Sequence, residues 1–118
     1  MVQKTILIYG ITGMELLSLT SMAEKAGIRV LRVTDRDTAL TVGQLLSGRT
    51  GQGSEALPLM GRFALLSGFQ GQEQMATLLI NRCAPGVIKA VHTPTNTGWS
   101  FSGLCAAIGA EHRSLSGR

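Results

Sequence analysis

Four short runs of β-forming residues alternate along this chain with four segments of helical period, the pattern that builds a sheet joined by crossover helices. Thr5 to Tyr9 is a continuous apolar run, which suits a strand buried on both faces and so a central one. A helix from about Gly13 to Ala26 carries Leu16, Leu19, Ala23 and Ala26 on one face, and Gly27 stands where a left-handed C-cap belongs. Ile28 to Thr34 contains Arg29 and Arg32, charges best tolerated on an edge strand. Thr38 reads as the N-cap of a short helix with Val42, Leu45 and Leu46 inward, stopped by Gly48.

Gly48 to Gly61 shows no sustained period and reads as a long loop, mobile or functional. Arg62 to Ser67 is the third expected strand, and Gln70 to Cys83 a helix packing Met75, Leu78, Leu79 and Cys83, ended by Pro85 and Gly86. Val87 to His92 is the fourth strand, and a last helix uses Phe101, Leu104, Cys105 and Ile108. The expected fold is α/β, a four-stranded, mostly parallel sheet in the order 2-1-3-4 with helices on both faces, because strand, helix, strand crossovers are right-handed and bring parallel strands side by side. The alternative is a ferredoxin-like α+β sheet, in which the Gly-rich loop and short helix replace the central hairpin connection. No internal repeat is read along the chain, and at 118 residues it has the length of one domain, residues 1–113, with a flexible tail at 114–118.

The formal charge of +4 invites a polyanionic partner, but the basic residues are scattered, and one Trp, one Tyr and three Phe leave little for bases to stack on. Nucleic acid is therefore not expected. No apolar run is long enough to span a membrane, and the two cysteines, Cys83 and Cys105, fit free thiols in a reducing cytoplasm. Both lie on apolar helix faces and read as small core residues rather than nucleophiles. His92 and His112 form no recognised ligand spacing with them, so neither metal nor cofactor is expected. Asp35 and Asp37 around Arg36 read as a solvated turn rather than a carboxylate dyad, and the Arg49 to Glu55 loop lacks the Lys-Ser/Thr of a phosphate-binding loop.

In an open parallel sheet, ligands bind outside the carboxyl ends of the strands. Gly10 to Gly13, Thr34 to Asp37, Ser67 to Gly71 and Thr93 to Trp99 should gather there. Gly10 and Gly13 resemble part of a dinucleotide fingerprint, but the full pattern is missing and two glycines making a tight turn explain them as well. Thr93, Thr95 and Asn96 offer hydroxyl and amide groups beside a helix start, while capping explains the same residue types and leaves Trp99 as a packed anchor. The candidate ligand-binding set is Gly10, Gly13, Ser67, Thr93, Thr95 and Asn96, with the last three facing a shallow pocket lined by Gly10 and Ser67; no catalytic residue is assigned.

Two stretches, Thr41 to Gly48 and Ile88 to Trp99, resemble a family of small bacterial domains of unknown function marked by a KAV-x-TPTN-x-x-W segment before a last helix ending in Glu-His, here Glu111-His112. The resemblance implies this fold and no activity. The leading expectation is a non-enzymatic binding or protein-interaction module; the alternative is a small-ligand or nucleotide-binding protein using the strand-end edge. Those readings leave a protein partner or a small anionic ligand.

Overall fold

The computed structural model of the chain describes residues 3–49, 59 and 61–116, for 111–116 the backbone alone. The elements follow in the order β1 (Thr5–Tyr9), α1 (Gly13–Lys25), β2 (Arg29–Arg32), α2 (Val42–Leu46), β3 (Phe63–Ser67), α3 (Glu73–Cys83), β4 (Ile88–Val91) and α4 (Phe101–Ser116). Short 3-10 turns at Asp35–Asp37 and Asn96–Gly98 precede α2 and α4. The four strands form one sheet in the order β2-β1-β3-β4. β1 is parallel to β2 and β3 is parallel to β4, but the central pair is antiparallel, with Thr5 opposite Ser67, Leu7 opposite Leu65 and Tyr9 opposite Phe63. The sheet is thus mixed, parallel in its two outer pairs.

Alternation along β1 and β3 sends side chains to two cores. Ile6, Ile8, Ala64 and Leu66 meet Leu19 and Ala23 of α1 and Ala76, Ile80 and Cys83 of α3. Leu7, Tyr9, Phe63 and Leu65 meet Val42 and Leu45 of α2 and Phe101, Leu104 and Cys105 of α4. Helices therefore cover both faces. The edge position of β2 agrees with Arg29 and Arg32, both exposed.

Several local expectations need correction. The short second helix is capped by Thr41, whose hydroxyl accepts from the Gln44 backbone N–H at 3.1 Å, while Thr38 closes the preceding 3-10 turn instead. α3 starts at Glu73 and buries Ala76, Ile80 and Cys83, leaving Met75 and Leu78 outside. Leu, Met and Ile occur around much of this helix, so periodicity alone tolerates a rotated apolar face. The Gly48 to Gly61 loop lies for the most part outside the described residues, and α4 runs on to Ser116, through part of the tail expected from 114.

The chain is also internally repeated. β1-α1-β2-α2, unit 1, and β3-α3-β4-α4, unit 2, share element order, and the palindromic strand order relates them by a pseudo-two-fold axis passing between Leu7 and Leu65. Details correspond. Gly10 and Gly68, just beyond the first strand of each unit, sit at φ +79° and +81°, a conformation that only glycine adopts freely. After the second strand the Thr34 N–H reaches Asp37 Oδ2 at 3.0 Å in unit 1, and the Thr93 N–H reaches Asn96 Oδ1 at 2.9 Å in unit 2. Across the axis, Thr41 and Ser100 form an antiparallel bridge, flanked by Val42 N–H to Trp99 O and Phe101 N–H to Leu40 O, both 2.9 Å. The repeat escapes sequence reading because few residues are identical. Its spacing also drifts, with Gly10 matching Gly68 but Thr34 matching Thr93.

Candidate functional site

The antiparallel central pair decides where the candidate residues go. β1 and β2 end at one rim of the sheet, and β3 and β4 end at the opposite rim, because each unit is parallel internally but reversed against the other. Gly10 and Gly13 follow β1, whereas Ser67 closes β3 and Thr93, Thr95 and Asn96 follow β4. Ser67 lies opposite Thr5, so Gly10 and Ser67 are separated by more than the length of β1, about 17 Å over five residue steps. The expected single pocket lined by both does not form. What the sequence suggested as one edge is two, each belonging to one unit.

At the unit 1 rim, Tyr9, Gly10, Thr12, Arg32, Val33, Thr34 and Asp35 line an open depression of about 270 Å³. Thr12 stands at the N-cap of α1, and its side chain makes no capping hydrogen bond. The Tyr9 hydroxyl donates to Asp35 and accepts the Leu59 N–H at 2.8 Å. Burial first, and then the hydrogen bond to Asp35, raise the Tyr9 pKa above the ordinary phenol value. A side chain at Gly10 would meet Gly61 O at 3.1 Å, so the backbone of β3's approach closes this corner. Next to it, Arg62 Nη1 pairs with Glu15 Oε1 at 2.6 Å and its other terminal nitrogen donates to Pro85 O, tying α1 of unit 1 to the α3-β4 turn of unit 2.

At the unit 2 rim the turn side chains are committed. Asn96, buried at 7% exposure, accepts the Thr93 N–H on Oδ1, donates through Nδ2 to Val91 O at 3.1 Å, and donates its own backbone N–H to the Thr93 hydroxyl oxygen at 3.2 Å. These bonds build the turn out of β4, as the capping alternative requires. Thr93 and Thr95 are both exposed on it. Trp99 departs from its expected role as a packed anchor, with 45% of its surface exposed, while its backbone carries the cross-axis bond to Val42.

Ser67 has a different neighbour from the one sequence suggests. Its Oγ lies 2.9 Å from His92 Nδ1, and His92 Nε2 lies 2.6 Å from Thr97 Oγ1. Thr97 Oγ1 spends its proton on Thr93 O at 2.9 Å, so it must accept from Nε2–H, and Nδ1 is left to accept from the serine. Burial lowers the His92 pKa, which favours that neutral tautomer. The network closes on itself and fastens the turn after β4 to the end of β3. Val33 holds the matching place in unit 1, so the fold does not by itself require histidine there. His92 on an apolar strand end and Thr97 five residues later were the readable signals.

The remaining candidates place as expected in part. Cys83 and Cys105 are free and buried, and burial pushes the Cys105 thiol up to about 12. Among the described residues, no group of three or more His, Cys, Asp or Glu side chains could hold a metal ion, and no buried side-chain nitrogen or oxygen lacks a hydrogen-bond partner. None of their helices is long and apolar enough to cross a membrane.

Fold and rims together define a mixed α/β sheet protein made of two like units, each with its own hydrogen-bonded turn after its second strand. A family model described as a domain of unknown function (DUF3783) matches residues 62–115, which is unit 2 from its first strand through most of its last helix. No curated protein and no solved structure matches the chain.

Proposed function

We propose that the chain is a non-enzymatic binding module that takes a protein partner on the outer side of its α1-α3 layer. The carrying observation is four large apolar side chains left in solvent there: Met14 at 80%, Leu17 at 65%, Leu78 at 62% and Met75 at 42% exposure. They fall three residues apart on each helix, and α1 and α3 run antiparallel side by side because each reverses its own strand and the strands are antiparallel. Single exposed apolar residues are ordinary, whereas a concentration on neighbouring helices marks an interaction surface. Methionine adapts its shape to a partner, which suits such a face. Two buried free cysteines favour a reducing, cytoplasmic setting.

The test is Leu17→Asp combined with Leu78→Asp, both on solvent-facing positions, in affinity capture from the native host with crosslinking. Melting should stay within about 0.5 kcal/mol of the parent. Partners captured by the parent should be lost. Capture of the same partners at the same level by the double variant refutes the reading.

A second reading rests on the unit 1 depression. Arg32 and the unused Thr12 hydroxyl beside the start of α1 favour a small anionic ligand. A metabolite thermal-shift screen tests it, since a ligand of the folded state raises the melting temperature with concentration. Arg32→Ala should remove the shift.

A further inference from the structure

The seam between the two units is a surface built to meet its own likeness. Every contact on the axis joins equivalent positions: Leu7 faces Leu65 in the sheet, and Thr41 bridges Ser100 between the helices. The flanking bonds, Val42 N–H to Trp99 O and Phe101 N–H to Leu40 O, exchange donor and acceptor between matching residues, as an isologous dimer interface does. The helix starts repeat too, with Gly103 N–H to Ser100 Oγ at 3.1 Å matching Gln44 N–H to Thr41 Oγ1 at 3.1 Å. The stretch matched by the family model is one unit and not two.

We propose that unit 2 binds a second copy of itself through this seam, with the geometry in which it now holds unit 1. In such a pair Leu65 meets Leu65, Ser100 bridges Ser100, and Phe101 N–H bonds Trp99 O in both directions; backbone donors and acceptors all keep partners. The tightest point is strained, since a Cβ in the place of Gly43 meets Thr97 Cγ2 at 2.9 Å. Where Gly43 now lies against Thr97, unit 2 would present Ser102, so Thr97 must shift to the kind of spacing that Ser102 has beside Thr38, the counterpart of Thr97, where the Ser102 N–H donates to Thr38 O at 2.9 Å. Two packed pairs lose volume, since Ile6 opposite Leu66 becomes Ala64 opposite Leu66 and Tyr9 opposite Phe63 becomes Ser67 opposite Phe63. The pair of two unit 2 segments is therefore the weaker one. In the intact chain, tethering keeps unit 1 in the seam by its high local concentration.

The experiment uses the full chain with a specific protease site inserted in the connection, in two versions, after Gly51 and after Glu55. Each is purified folded, cleaved and examined by native mass spectrometry and size exclusion across a concentration series. The cleaved protein should keep the two units together as the main species, with a minor species at twice the mass of unit 2 that grows after an excess of cleaved protein is incubated to exchange. A Leu65→Asp change in the same cleaved chain should abolish that species. Separation into monomeric or unfolded pieces in both versions overturns the proposal, and so does a complex of unit 1 with unit 2 alone at every concentration.

Discussion

Gly43→Ala tests the packing between the units at one methyl group. A Cβ on Gly43 would stand 2.9 Å from Thr97 Cγ2 and 3.4 Å from Thr97 O. The first distance is about 0.6 Å inside the shortest comfortable carbon-carbon separation. Thr97 cannot simply turn away. Its χ1 is stiff because it is β-branched, and rotation breaks the bonds of Oγ1 to His92 Nε2 at 2.6 Å and to Thr93 O at 2.9 Å. Overpacking of this kind costs about 1–3 kcal/mol. Replacing glycine by alanine inside a helix returns up to about 1 kcal/mol, so the net loss should be about 1–2 kcal/mol. For a chain of this size that lowers the melting temperature by about 4–8 °C in thermal unfolding followed by circular dichroism. Thr97→Ser removes the offending methyl and keeps the hydroxyl, so the double variant should regain most of the loss while Thr97→Ser alone stays near the parent. An unchanged or raised melting temperature in Gly43→Ala refutes the packing argument, and failure of the double variant to recover places the strain elsewhere.

Asn96→Ala strands the Val91 carbonyl and the Thr93 N–H at a buried turn and should cost about 2 kcal/mol in denaturant unfolding; a loss below about 0.5 kcal/mol would mean water replaces the amide. Trp99, the one tryptophan, is half exposed, so its emission should lie at long wavelength and be readily quenched by acrylamide, and a blue-shifted, protected emission would contradict its placement. His92 has its pKa lowered in the folded chain, so its contribution is present above the unfolded value of about 6.5 and is lost as pH falls through the folded value. Melting temperature should thus decline faster below that pH in the parent than in His92→Gln. Cys105 shifts the opposite way, from 9.0 up to about 12, so its contribution is whole below pH 9 and drains away toward 12; both native thiols should also label slowly until the protein is denatured.

Local sequence determined the elements and their neighbours. The unbroken apolar run Thr5 to Tyr9 could only be a central strand, Arg29 and Arg32 put β2 at an edge, and Gly27 stopped α1, because burial, charge and left-handed backbone are written in single residues. Strand order and the layer of helices on each face followed from that pattern. Direction did not. An apolar strand reads the same whether its neighbour runs with it or against it, and in the folded chain β3 lies antiparallel to β1. That direction split the candidate site, sending Gly10 and Gly13 to one rim and Ser67, Thr93, Thr95 and Asn96 to the other. Tertiary structure also turned Met75 and Leu78 of α3 outward and left Trp99 half in solvent, since several apolar residues can fill a helix face and only the shape of the opposing sheet selects among them. The pairing of Ser67 with His92 came the same way, from two strand ends brought side by side by hydrogen bonds between β3 and β4.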